Sequence, residues 1–167
     1  MDSQQDDDEI RWQDRLWNEL PLLGHRNWIL VVDKAFPLQS AKGIEVVYTN
    51  ESMDSVLTET LDYLSTQNHI HPIVYTDAEL EYLSDKEVPG IVSYKKMLDD
   101  QLSEFNVRSI LHDTVFTKID EASKLFKIFV LKTNAVLPYS SVFFELDCGY
   151  WDGTMEQKLR EKMGALQ

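Results

Sequence analysis

Hydrophobic positions along the chain fall into short blocks whose period switches between that of a helix and that of a buried strand. Ile10, Trp12, Leu16, Trp17, Leu20 and Leu23 recur near helical spacing, and Gly24 supplies a stop signal. Trp28–Val32 is apolar throughout, as expected of a central strand covered on both faces, and Phe36-Pro37 ends it. Ile44–Tyr48 is rich in β-branched residues and predicts a second strand. A helix follows, capped by Asn50 or Ser52, with Val56, Leu57, Thr60, Leu61 and Leu64 as its buried stripe. Residues 73–75 predict a short strand, and residues 76–90, polar and closed by Pro89-Gly90, a long connection with at most one helical turn. Met97, Leu98, Leu102 and Phe105 mark another helix, and residues 107–111 a strand that ends directly at His112. Residues 116–125 then read as helix, 127–132 and 141–146 as strands, and 151–166 as an amphipathic terminal helix with its charges outward. Strands alternating with helices at this rhythm predict an α/β fold: one domain with a mainly parallel, Rossmann-like sheet and helices on both faces.

Composition narrows the setting. Residues 1–9 contain nothing to bury and read as an acidic disordered tail, which leaves residues 10–167 as the single domain. The start of the chain has neither a basic region nor an apolar one, so it does not read as a secretory signal. A single cysteine, Cys148, excludes an internal disulfide framework and fits a reducing compartment, so the expected location is cytoplasmic. The formal charge of −13, with 16 basic residues scattered among 29 acidic ones, argues against nucleic acid and anionic membrane as partners. A neutral small molecule is compatible with that charge.

Candidate chemistry concentrates in two segments. In Gly24-His25-Arg26-Asn27-Trp28-Ile29-Leu30-Val31-Val32-Asp33-Lys34-Ala35-Phe36-Pro37, a His precedes the apolar run and an Asp follows it. Open α/β sheets bind their ligands at the carboxyl ends of strands, where Asp33 falls. His25 has two readings: a cap on the preceding helix, favoured by the helix dipole, or a general acid/base, since His is the side chain that titrates near neutrality. Asp33 reads either as a turn residue that satisfies local N–H groups or as an acceptor for ligand hydroxyls. His112, at a second strand end, is either a loop histidine or a ligand contact. The second segment is Lys132-Thr133-Asn134-Ala135-Val136-Leu137-Pro138-Tyr139-Ser140-Ser141.

Other features point away from cofactors. His69 and His71 offer only two ligands where a zinc site needs three or four, and they read as surface residues. Gly43 stands alone, and the absence of a glycine-rich phosphate loop disfavours nucleotides. Cys148 has no cationic neighbour to activate it and reads as packing. Phe143, Phe144, Tyr150 and Trp151 read as core or subunit contact.

The two segments resemble the ribose pyranase and fucose mutarotase family over residues 20–146. Gly24, His25, Asp33 and Pro37 match the family's Gly-His, Asp and Pro in order and spacing, and His112 with Phe116 is similar to its later His and nearby Phe. Pro138-Tyr139-Ser140-Ser141 resembles its Pro-Tyr-Ala-Asn, with Ser141 in place of Asn, while Thr133-Asn134-Ala135 stands where the family has Thr-Gly-Glu. The resemblance implies pyranose–furanose or anomer interconversion of a free aldose by ring opening, with a fucose- or ribose-like sugar as ligand. It makes His25 the proton shuttle, Asp33 and His112 hydroxyl partners, and Tyr139 with Ser141 the opposite wall. It also implies a homo-oligomeric ring. Ring opening breaks no C–H bond and moves no electrons to an acceptor, so neither metal nor other cofactor is expected. The alternative is a non-catalytic sugar-binding or regulatory homologue, because Ala135 and Ser141 remove groups that the family carries.

Overall fold

The computed structural model describes residues 10–164; the acidic segment 1–9 and the last three residues lie outside it. The elements are α1 (Trp12–Glu19) with a 3₁₀ turn (Leu20–Leu22), β1 (Trp28–Val32), β2 (Ile44–Tyr48), α2 (Met53–Ser65), β3 (Ile70–Asp77), a 3₁₀ turn (Ala78–Tyr82), α3 (Ile91–Gln101), β4 (Arg108–Ile110), α4 (His112–Ser123), β5 (Ile128–Lys132), β6 (Val142–Cys148) and α5 (Gly153–Gly164).

The six strands form one sheet in the order β2-β5-β1-β6-β3-β4. β2, β5 and β1 are mutually parallel, β3 and β4 are parallel, and β6 runs antiparallel to both β1 and β3. Five strands therefore share one direction and β6 alone opposes them, so the sheet is mixed but mainly parallel. β1 lies at the centre with every residue buried, as its unbroken apolar run requires. Alternation along the strands divides the core in two. On one face Ile29, Val31, Phe129, Leu131 and Phe144 pack against α1, α2 and α3 through Leu16, Val56, Leu57, Ile91 and Leu98. On the other, Trp28, Leu30, Val130 and Phe143 meet Val115 and Ile119 of α4.

β3 is longer than its apolar pattern suggests. It contains Pro72, which lacks a backbone donor, yet β4 pairs only with Tyr75–Asp77, so the proline lies where β3 has no neighbour on that side. Ser52, one of the two expected caps, closes the start of α2: its hydroxyl accepts the N–H of Ser55 at 3.1 Å. At the end of the first helical segment the capping group is His69, whose half-buried ring Nε2 lies 2.9 and 3.1 Å from the carbonyl oxygens of Leu23 and Leu20. The expectation of His69 as a surface residue is corrected accordingly: orphan carbonyls at a helix end need donors.

α5 has no buried residue, and Met155, Leu159 and Met163 lie exposed along one side of it. Leu30→Ala, in the middle of β1, should cost roughly 2–5 kcal/mol of unfolding free energy. Leu159→Ala should change it by less than about 0.5 kcal/mol. Urea titrations of the two variants check this contrast.

Candidate functional site

The opposed direction of β6 builds the site. The carboxyl ends of β1, β3 and β4 reach the same edge of the sheet as the amino end of β6, so Asp33, Asp77, His112 and Ser141 all emerge there. Ser141 accepts the backbone N–H of Asp33 at 3.0 Å and donates its hydroxyl to the Asp33 carboxylate at 2.8 Å. Ser141 is buried, whereas Asp33 is only half-buried and keeps one carboxylate oxygen outside this pair. The loop after β5 supports the same corner: Thr133 donates its N–H and its hydroxyl to the carbonyl of Val32, and Lys34 donates its N–H to Ala135. Lys34 extends its ammonium over the Tyr48 ring, where it bonds the Tyr48 hydroxyl and Asn134.

His112 is the first residue of α4. Its backbone N–H donates to both oxygens of Glu79, 3.0 Å away, so a carboxylate caps a helix start where the dipole favours negative charge. Its ring Nδ1 lies 2.9 Å from Asp77 Oδ2. The ring makes edge-on contacts with Phe116 and Tyr139, with centroids 4.6 and 5.5 Å away, and Phe36 stacks on Phe116.

Tyr139 is held in an unusual backbone state, with φ of 55°. A bulky residue in the left-handed region is strained, and such strain is found where a side chain must be aimed. The segment is tied down on both sides. Ser140 donates its hydroxyl to Leu137, and the buried phenol of Tyr94 in α3 donates to the Ser140 carbonyl, its pKa pushed up by that burial.

Asp77 is a carboxylate withdrawn from solvent. Its side chain is fully buried and its Oδ1 has no partner among the described residues. Burial, reinforced by the nearby carboxylates of Glu79 and Asp33, pushes its pKa up to about 6 against the opposing pull of His112.

Donor atoms of Asp77, Glu79 and His112 lie within 4.8 Å of one another. Internal hydrogen bonds already engage Glu79 and the facing atoms of Asp77 and His112, and account for the cluster without a cation. A cleft of about 540 Å³ between β3, β4 and α3 borders the site, with Asp77 in its lining beside Thr76, Glu81, Lys95 and Asp99. Its lysine, Lys95, is engaged by the carbonyls of Glu81 and Leu83.

Of the residues singled out in the sequence, Asp33, His112, Tyr139 and Ser141 are brought to this edge. His25 is not among them within one chain. It is exposed at the amino end of β1, in an open groove with Arg26, Asp147, Tyr150 and Trp151, and β1 alone spans roughly 16 Å between it and Asp33. Sequence reasoning misses Asp77 and Glu79, because residues 76–90 are polar and read as a connection. The available signal was the repetition of an apolar run followed by an Asp, in Val31-Val32-Asp33 and again in Val74-Tyr75-Thr76-Asp77.

No protein-family model and no curated protein sequence matches the chain. Solved structures do. RbsD from Bacillus subtilis, complexed with D-ribose, is 21% identical with a TM-score of 0.52, covering 80% of this chain and 91% of that one. The fold is that of the RbsD and FucU proteins. FucU from Bifidobacterium longum is 14% identical with a TM-score of 0.51, over 80% and 93% of the two chains. The fucose mutarotase from Streptococcus pneumoniae, in complex with L-fucose, is 14% identical with a TM-score of 0.53, over 84% and 97%.

The electrostatics of Asp77 make a stability prediction. An unfolded Asp titrates near about 3.9. A folded-state value raised to about 6 means that the charged form costs stability above pH 6, and that the cost disappears as pH falls toward 4. Asp77→Asn keeps the shape without the charge. Its Tm should exceed wild type at pH 7.5, with the gap closing between pH 6 and pH 4. Thermal melts across that range check the sign.

Proposed function

We propose that the strand-end site binds a free monosaccharide and interconverts its ring forms by ring opening. The observation that supports this best is the convergence of an Asp–Ser pair, a His and an aimed Tyr at one sheet edge, on a fold shared with proteins that bind D-ribose and L-fucose. Asp33 accepts hydrogen bonds from sugar hydroxyls, Ser141 fixes its orientation, and Tyr139 closes the opposite side with its ring and phenol. With Asp33, Asp77 and Glu79 gathered there, the local field opposes anions and suits a neutral polyol.

Ring opening requires a proton to leave the anomeric hydroxyl and another to reach the ring oxygen. His112 stands at the site of its own chain. His25, the shuttle that the family resemblance implies, reaches a sugar held by Asp33 only when a second copy presents the far end of its β1, so this reading includes a homo-oligomer with composite sites. Neither proton step draws on a metal or a redox cofactor.

Saturation-transfer NMR on L-fucose and D-ribose should show exchange between anomer lines faster than the uncatalysed rate, unchanged after exhaustive chelation. Line broadening without exchange would favour the non-catalytic, sugar-binding alternative. Sedimentation at micromolar concentration should give a mass at least twice the 19.4 kDa of one chain. A monomer would remove His25 from the mechanism.

A further inference from the structure

We infer that Asp77 is a positioning residue that locks His112 in one tautomer, with Nδ1 protonated and Nε2 bare, so that His112 removes the proton from the anomeric hydroxyl. The inference rests on the proposed sugar site and adds to it a base that each chain supplies for itself.

Asp77 Oδ2 lies 2.9 Å from Nδ1 of His112, and an ionised carboxylate only accepts, so Nδ1 carries the proton. Nε2 makes no hydrogen bond among the described residues, and the imidazole keeps 32% of its side-chain surface open while Asp77 has none. The ring is therefore held from behind by a buried group and left free in front. Glu79 fixes the backbone of His112 through its N–H, and both Phe116 and Tyr139 contact the ring edge-on. A base oriented by a buried carboxylate is the arrangement that keeps an imidazole in the tautomer able to accept a proton.

The balance is simple. Nε2 takes the proton of the anomeric hydroxyl, and the C1–O1 bond becomes a carbonyl. The C1–ring-oxygen bond breaks with its electron pair left on the ring oxygen, and the imidazolium returns the proton to that oxygen or to the solvent that protonates it. No electrons enter or leave the sugar. Asp77 stabilises the imidazolium while it lasts and does not touch the substrate.

The test uses the full-length protein with 15N-labelled histidine. In wild type, two-bond 15N–1H spectra at pH 7.5 should show His112, assigned by its loss in His112→Gln, as the Nδ1–H tautomer. In Asp77→Asn the Nε2–H tautomer should appear. Anomer exchange of L-fucose and D-ribose should lose at least about tenfold in kcat in both Asp77→Asn and His112→Gln, within the usual range for general acid–base groups. KM should stay within about twofold in Asp77→Asn. A mixed tautomer in wild type, an unchanged kcat in Asp77→Asn, or a loss confined to KM would overturn the inference. So would one tightly bound zinc per chain that Asp77→Asn releases, because Asp77 and His112 would then be ligands. If wild type exchanges neither sugar, the proposed function fails by itself, and the positioning of His112 by Asp77 stands or falls on the tautomer alone.

Discussion

The direction of β6 is the constraint on which the site depends. Were that strand parallel to its neighbours, its carboxyl end would reach the Asp33 edge, and Ser141 would sit beside His25 at the other. Running β6 backwards between β1 and β3 costs nothing in hydrogen bonding, because it pairs with both. It also places a loop, residues 133–141, across the strand ends where ligands of open α/β sheets bind. The two halves of the site are thus joined by a strand that reads as plain core: Val142, Phe143 and Phe144 are fully buried.

Against this scaffold the polar groups are arranged at some cost. A carboxylate withdrawn from water is unfavourable unless its partners compensate, and Asp77 has one hydrogen bond and two acidic neighbours. Stability alone would favour a neutral residue there. Elsewhere charges are paired: Lys127 lies between Glu19 and Glu45, and Arg15 meets Glu45 as well, a half-buried network in which each carboxylate faces a cation. The fully buried carboxylate of Asp77 thus stands next to the histidine at the strand ends.

The sequence was most legible where packing alone decides structure. β1 and β2 fall on the expected residues because an apolar or β-branched run of five positions admits few other readings, and helices on both faces follow from the alternation of elements. It was least legible where tertiary context overrides local signals. Pro72 concealed the start of β3, and its polar end at Thr76 and Asp77 resembled a loop, since only the folded sheet shows that a short β4 leaves room for the proline. α4 begins at His112 rather than near Phe116, because its cap is Glu79, 33 residues upstream, and no local capping signal announces it. The same limit applies to the histidines. His25 and Asp33 stand close together in sequence, yet a strand lies between them and holds them at opposite edges, whereas His69, which reads as a surface residue in the sequence, satisfies a helix end.

Tyr139 shows what this arrangement demands of the backbone. A left-handed tyrosine is disfavoured by about 1–3 kcal/mol, and a glycine would remove that cost while losing the ring. The segment instead retains the tyrosine and is secured from outside. Tyr94 gives up its only donor to the carbonyl of Ser140, and Ser141 is held by Asp33. Each restraint comes from a different element, α3 and the end of β1, so the conformation is over-determined and cannot relax without breaking contacts in both. The result is a tyrosine in edge-on contact with His112 at 5.5 Å, on a ring that also meets Phe116 at 4.6 Å. A histidine held by such contacts, in the tautomer proposed above, needs little reorganisation before it accepts a proton, and avoided reorganisation is where preorganised sites gain their rate.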